Sequence, residues 1–416
     1  MAAQAVPRRR QRRCSSSSWP ELHPELLGLV LGRLPSLADR ARAGRAVCRP
    51  WRLAAGLLRP LAPPPFPWLT LLDGRFLCVP GGEILRRLVP RGAVCYGSAG
   101  DWLFLVHAGK CCLFNPFTRR VVRLPGVWDH EYTGGLHPAG FAPMFYKLTP
   151  LRMPPSSEPP TTKDDKDPVF AMLIALGGIS SVISIVRPSV GTAVKAPHRE
   201  YIRDIAFFRG KLYAISNTKL FALDVDPSSC RPKRMSMDCV AKCTDDSGST
   251  SVYFPVWPRG FSTCTFCSYL VEYNGRLLHV RRLLGVLSSA LPRGSSMVNR
   301  TRTFSFQVFE ADFDDDGCCR RWRRITSLGG QALFVGKQQS KSLAASECGA
   351  SEDCVYFMCD YDLEHRDADP FRDSGVFHMK DGTITPLVPE ITNEMRPQGE
   401  CFAHGFPAWF FPTAAM

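Results

Sequence analysis

The chain has 416 residues, 45% of them hydrophobic, with a net charge of +14. That is enough for two to three domains and a sizeable core. The basic surplus is uneven: residues 1–60 carry twelve arginines against three acids, which leaves only +5 for the other 356 and weakens any inference of nucleic-acid binding.

Residues 1–18 read as a disordered basic tail, with Arg8-Arg9-Arg10-Gln11-Arg12-Arg13 followed by Ser15 to Ser18. The arginines are either a nuclear-localisation patch or a solvated start, and nucleus or cytoplasm is the expected location. No apolar run follows them, so no secretory signal is expected. The 17 cysteines then read as free thiols, the pairs Cys111-Cys112 and Cys318-Cys319 being poorly spaced for bridges. The sequon at Asn299 is expected to stay unglycosylated.

Residues 19–58 carry a helical pattern. Leu26, Leu27, Val30, Leu31 and Leu34 share one side of a short helix. Pro24 suits its first turn, and Pro35 ends it, because the residue before proline is pushed out of helical space. Ser36 to Asp39 reads as a fresh helix start, leading to an Arg- and Ala-rich helix that runs towards Val47 and Cys48. After Pro50, residues Trp51, Ala54, Leu57 and Leu58 give a third apolar face. Three helices in about forty residues bury too little to stand alone. Their faces need cover, from the rest of the chain or from a partner.

The order Leu22-His23-Pro24-Glu25-Leu26-Leu27, Val30-Leu31, Leu34-Pro35, Asp39 and Val47-Cys48-Arg49-Pro50-Trp51-Arg52 resembles the F-box. His23 stands where that family has a proline after leucine, and Pro24 comes one place later. The resemblance implies docking on a Skp-type linker protein, and through it on a cullin–RING ubiquitin ligase. It implies a docking face formed or supported by Leu22, Pro24, Leu26, Leu27, Val30, Leu31, Leu34, Val47, Cys48 and Trp51.

Residues 59–67 are a proline-rich linker. Short apolar runs follow, split by Gly, Asp and Asn: Trp68–Leu72, Phe76–Val79, Ala93–Tyr96, Trp102–Val106, Cys111–Phe114 and Val121–Leu124, with a turn at Asn115-Pro116-Phe117-Thr118. Such a rhythm predicts a sandwich, barrel or propeller. Residues 149–168, rich in Pro, Ser and charge, read as a disordered loop within that domain. The uncharged run Val169–Val186 is long enough for a membrane span, but Gly177-Gly178 and alternating serines favour two strands.

A weak repeat of strand, turn at glycine, strand and third strand covers Asp204–Asp224. It recurs at Tyr269–Val280 with Phe306–Asp312, and partly at Asp353–Leu387, with residues 285–302 read as an insertion. Recurrence favours radial blades, a propeller. Residues 115–125, 306–314, 322–336, 354–357 and 375–387 resemble the plant F-box proteins that carry a KIB-type β-propeller. That resemblance covers roughly 68–411 and implies a domain that recruits a protein substrate. The expected class is therefore α+β multidomain: a small three-helix F-box followed by an all-β propeller-like domain.

Chemistry is less well supported. Asp312 to Gly317 matches half of an EF-hand loop, but Arg323 occupies the twelfth position, so acids facing basic residues across a hairpin is the preferred reading. Cys264 and Cys267, with Cys239 and Cys243 upstream, have zinc-like spacing; their strand-like setting points the first pair to opposite faces. His107, His137 and His279 read as core or rim residues. No catalytic residue, metal, cofactor, nucleic acid or membrane is expected. The expected function is the substrate-recognition subunit of an SCF (Skp–cullin–F-box) ubiquitin ligase. The alternatives are a propeller scaffold outside any ligase and, less favoured, a propeller hydrolase.

Overall fold

The computed structural model describes residues 23–33 and, from 66 to 411, the strands and most of their shorter connections. Residues 1–22, 34–65, 125–144, 153–168, 188–193, 198–200, 224–236, 243–260, 288–299, 315–318, 362–370, 396–406 and 412–416, with a few shorter stretches, lie outside it. The chain forms two compact units, Met1–Ala62 with Ala414–Met416, and Pro63–Thr413.

In the first unit one helix is described, α1 (Pro24–Arg33), with Glu25 in its first turn, where a carboxylate suits the positive end of the helix dipole.

The second unit consists of six antiparallel-rich sheets, met one after another along the chain. The first holds β1 (Trp68–Thr70), β2 (Phe76–Cys78) and β3 (Glu83–Leu85). The second holds β4 (Val94–Ala99), β5 (Trp102–His107), β6 (Lys110–Phe114) and β7 (Val121–Arg123). The third holds β8 (Phe145–Arg152), β9 (Val169–Leu176), β10 (Ser180–Val186) and β11 (Val194–Pro197). The fourth holds β12 (Asp204–Phe208), β13 (Lys211–Ile215), β14 (Lys219–Leu223) and β15 (Met237–Lys242). The fifth holds the long strands β16 (Phe261–Tyr273), β17 (Arg276–Leu287) and β18 (Thr301–Phe313), with β19 (Cys319–Ile325).

The sixth sheet departs from a simple meander. β20 (Gln331–Phe334) pairs antiparallel with β21 (Lys341–Ala344) and parallel with β22 (Cys354–Phe357). The short helix α2 (Ala345–Cys348) makes that crossover, and β23 (Gly375–His378) and β24 (Ile384–Thr385) complete the sheet. The chain then returns: β25 (Ala408–Phe410) pairs antiparallel with β1, so the last strand closes the first sheet. Neighbouring sheets meet through β25 and β4, β4 and β8, β8 and β12, β12 and β16, and β16 and β21. Six sheets arranged radially and closed by the terminal strand form a six-bladed β-propeller.

The core lies between blades. One apolar cluster joins the second and third sheets through Phe104, Leu113, Phe170 and Met172. Others join third to fourth, fourth to fifth, fifth to sixth, and sixth back to first. The third to sixth sheets are therefore covered on two faces. This is why ten successive residues of β17, Leu277 to Val286, are buried without polar alternation. Two hairpins use two-residue turns with positive φ at both positions: Arg209-Gly210 (46° and 79°) and Asn274-Gly275 (46° and 72°). The right-handed strand twist selects such turns, and glycine relieves the second position.

The structure corrects the expected fold class. An α+β multidomain chain with a three-helix F-box is not what is seen: the described residues form an all-β propeller with two short helices, α1 and α2. Ten helical residues in α1 do not alter a class set by twenty-five strands. The second and third expected helices lie outside the described residues.

Two boundaries move as well. β8 runs through Thr149–Arg152, because Leu148 and Leu151 are buried. Pro150 is tolerated there, since β8 ends its sheet and the register shifts between Pro150 and Arg152. Likewise Gly285–Leu287 finish β17 and Thr301–Arg302 begin β18, so the two ends of the expected insertion are strand, and 288–299 lie outside the described residues. The uncharged run 169–186 is two paired strands, β9 and β10.

Candidate functional site

Helix α1 carries five of the ten residues expected to form or support the docking face: Pro24, Leu26, Leu27, Val30 and Leu31. The Leu27 amide closes the first helical turn on the His23 carbonyl at 3.0 Å. Leu27 is 1% exposed, whereas Leu26 and Val30 are 52% and 38% exposed. Leu29, outside the expected set, is 64% exposed and lies three residues from Leu26 and next to Val30. Leu26, Leu29 and Val30 thus make one open apolar stripe at helical spacing, while Leu27 belongs to a covered side. Helical spacing places Leu26 and Leu27 on one side; burial separates them. Leu22, Leu34, Val47, Cys48 and Trp51 lie outside the described residues.

In the propeller, the buried ionisable groups hold blades together. Lys147 on β8 and Asp204 on β12 form a buried ion pair between the third and fourth sheets. The Asp204 carboxylate also accepts the amides of Ile205 (2.8 Å) and Leu270 (2.7 Å), the latter on β16 of the next blade. One side chain thereby ties three consecutive blades.

Arg282 on β17 does the same between the fifth and sixth. It is fully buried, and donates from Nε to Thr303 (2.7 Å), from Nη1 to the Met358 carbonyl (2.7 Å) and Asp360 (3.0 Å), and from Nη2 to Asp373 (2.9 Å). Its plane stacks near Phe357 and Tyr361. Burial pulls the Asp373 pKa up, but Arg282 and the Thr303 donors outweigh it and hold that carboxyl below its ordinary value. These donors and acceptors are satisfied by one another, which suits structural cross-bracing.

His279 on β17 is 1% exposed. Its Nε2 lies 3.0 Å from the Ser268 hydroxyl, and its ring packs on Trp322. Burial, with the Arg281 charge beside it, pushes its pKa well below the ordinary histidine value, so it is neutral in the fold. It is a core residue, as the sequence suggested. His107 is exposed at the end of β5, and His137 lies outside the described residues.

The described start of the acidic run, 312–314, is a strand end facing arginines: Asp312 pairs with Arg321 at 3.1 Å and Asp314 with Arg320 at 3.8 Å. Cys264 and Cys267 both lie on β16, and Cys239 on β15; Cys243 lies outside the described residues. Burial drives the thiols up, to about 11 at Cys95, Cys354 and Cys359 and about 12 at Cys319, so they are protonated and weakly nucleophilic. Among the described residues, no group of three His, Cys, Asp or Glu could hold a metal ion, and no helix is long and apolar enough to cross a membrane.

A family model described as the KIB1-4 β-propeller matches residues 76–378. No curated protein matches. Among solved structures, the chain is similar to PorZ, a surface component of the type-IX secretion system of Porphyromonas gingivalis, at 11% identity and a TM-score of 0.31, covering 80% of this chain and 38% of that one. It is also similar to the N-terminal domain of Nup159, at 8% identity and a TM-score of 0.30, covering 81% and 84%. AztD of Citrobacter koseri gives 10% identity and a TM-score of 0.26, covering 80% and 76%.

Proposed function

The chain belongs to the KIB1-4 β-propeller family, and from that premise we propose that it is the substrate-recognition subunit of an SCF ubiquitin ligase. The N-terminal segment docks on a Skp-type linker, and the propeller recruits a protein to be ubiquitylated. The chain itself is a non-catalytic adaptor. It acts by raising the effective concentration of a substrate lysine near the charged conjugating enzyme.

The observation that carries the reading is the open stripe of Leu26, Leu29 and Val30 on α1. It sits inside the sequence motif running from Leu22 to Arg52 and is attached to a propeller by a proline-rich connection. Apolar side chains exposed at helical spacing suit a helix-on-helix interface, where such anchors supply most of the affinity. The test is co-purification of the full chain with a Skp-type linker. Leu26→Asp combined with Val30→Asp should abolish it, because two carboxylates would be buried without partners. Undiminished capture by the double variant would refute the proposal.

A further inference from the structure

The outermost strand of the fifth blade differs from its counterparts. β19 is seven residues long, and four of them are arginine: Arg320, Arg321, Arg323 and Arg324. The other outermost strands, β3, β7, β11, β15 and β24, hold two to six residues and at most one arginine each. One edge of β19 is hydrogen-bonded to β18, and the other pairs with no strand among the described residues.

The charges are arranged so that the positive ones reach solvent. Asp312 and Glu310 lie directly across from Arg321 and Arg323 in the strand register. Glu310 accepts from both Arg323 (3.0 Å) and Arg276 (3.2 Å) and is only 12% exposed in its side chain, while Arg320, Arg321 and Arg323 are 60–72% exposed. Arg324 is exposed and has no acidic partner among the described residues. Five guanidinium groups therefore stand over three carboxylates.

We infer that the free edge of β19 is a docking edge for an extended acidic segment of the protein partner, which adds to the blade as a fifth strand. The inference rests on the reading of the propeller as the partner-recruiting domain. An open strand edge offers unpaired amide and carbonyl groups to any extended chain. Arginines repel a second copy of the same strand, since like charges would lie opposite one another, and attract one carrying Glu or Asp at those positions. Nucleic acid fits less well. Trp322, the aromatic within the arginine run, is buried rather than open for stacking on a base.

The test uses the full chain and a labelled synthetic peptide of alternating Glu and Thr, with a Gln–Thr peptide and a single-stranded oligonucleotide as competitors, read by fluorescence anisotropy. The variant is Arg320→Gln with Arg324→Gln, which leaves the Glu310 and Asp312 pairs intact; circular dichroism checks its fold. The expected result is binding of the Glu peptide, at least tenfold weaker in the variant, at least tenfold weaker for the Gln peptide, and weakened by salt. Absence of binding, equal binding by the variant, equal binding of the Gln peptide, or tighter binding of the oligonucleotide would each overturn the inference. Linker co-purification does not depend on β19, so its outcome separates failure of this inference from failure of the ligase reading.

Discussion

Arg282 on the fifth blade and Asp373, which precedes β23 of the sixth, are joined by an Nη2 to Oδ2 hydrogen bond of 2.9 Å with almost no solvent contact. Asp373 is also held by the Thr303 amide and hydroxyl and by the Tyr361 hydroxyl. The bond therefore belongs to a network that crosses one blade boundary. Arg282→Met should destabilise the propeller by about 3–5 kcal/mol, because Asp360 and Asp373 would be left buried without their counter-charge. Adding Asp360→Asn and Asp373→Asn should recover part of the loss. Urea midpoints of the two variants check both statements.

Ring closure gives a second expectation. Trp409 on β25 is fully buried, donates its indole N–H to the Val335 carbonyl at 2.9 Å, and meets Phe334 edge-on. It joins the closing strand of the first sheet to the sixth. Trp409→Ala should cost roughly 3–5 kcal/mol through lost contacts and the cavity left behind. A thermal unfolding midpoint within a degree or two of the parent would contradict this.

His279 sets a pH dependence of known sign. Its pKa is lowered by burial and Arg281, so the folded state keeps it neutral while the unfolded chain takes up a proton near pH 6.5. Its contribution is present above about pH 6.5 and is lost as pH falls below that value towards the folded pKa. Between pH 7.5 and 5.5 this one group therefore lowers the stability as the pH falls. Urea unfolding at both pH values should show a smaller pH effect in His279→Gln than in the parent. An equal effect would assign the dependence to other groups.

The propeller was legible where both strand and turn chemistry were local. Asp204–Asp224 carries its turn at Gly210 and its strands as apolar runs, and it became β12, β13 and β14. Gly177-Gly178 likewise marked the division between β9 and β10. Composition misled at Thr149–Arg152, where prolines and charge mimic a loop, though Leu148 and Leu151 anchor a strand. The parallel pairing of β20 with β22 depends on a crossover through α2, for which four residues give no periodic signal. Arg282 could not be assigned a role, because Met358, Asp360 and Asp373 are 76, 78 and 91 residues away. On α1, spacing placed Leu26 and Leu27 on one face, and burial separates them. The exposure of Leu29 is a tertiary property that spacing does not carry.

The adaptor role turns on whether the stripe of Leu26, Leu29 and Val30 is a docking face. Isothermal titration of the purified full chain with a purified Skp-type linker addresses it without other cellular components. The expected result is a one-to-one complex for the parent and at least a hundredfold weaker binding for Leu26→Asp with Val30→Asp, since two apolar anchors of about 2 kcal/mol or more each are replaced. No heat of binding from the parent chain, or equal affinity in the variant, would contradict the adaptor role.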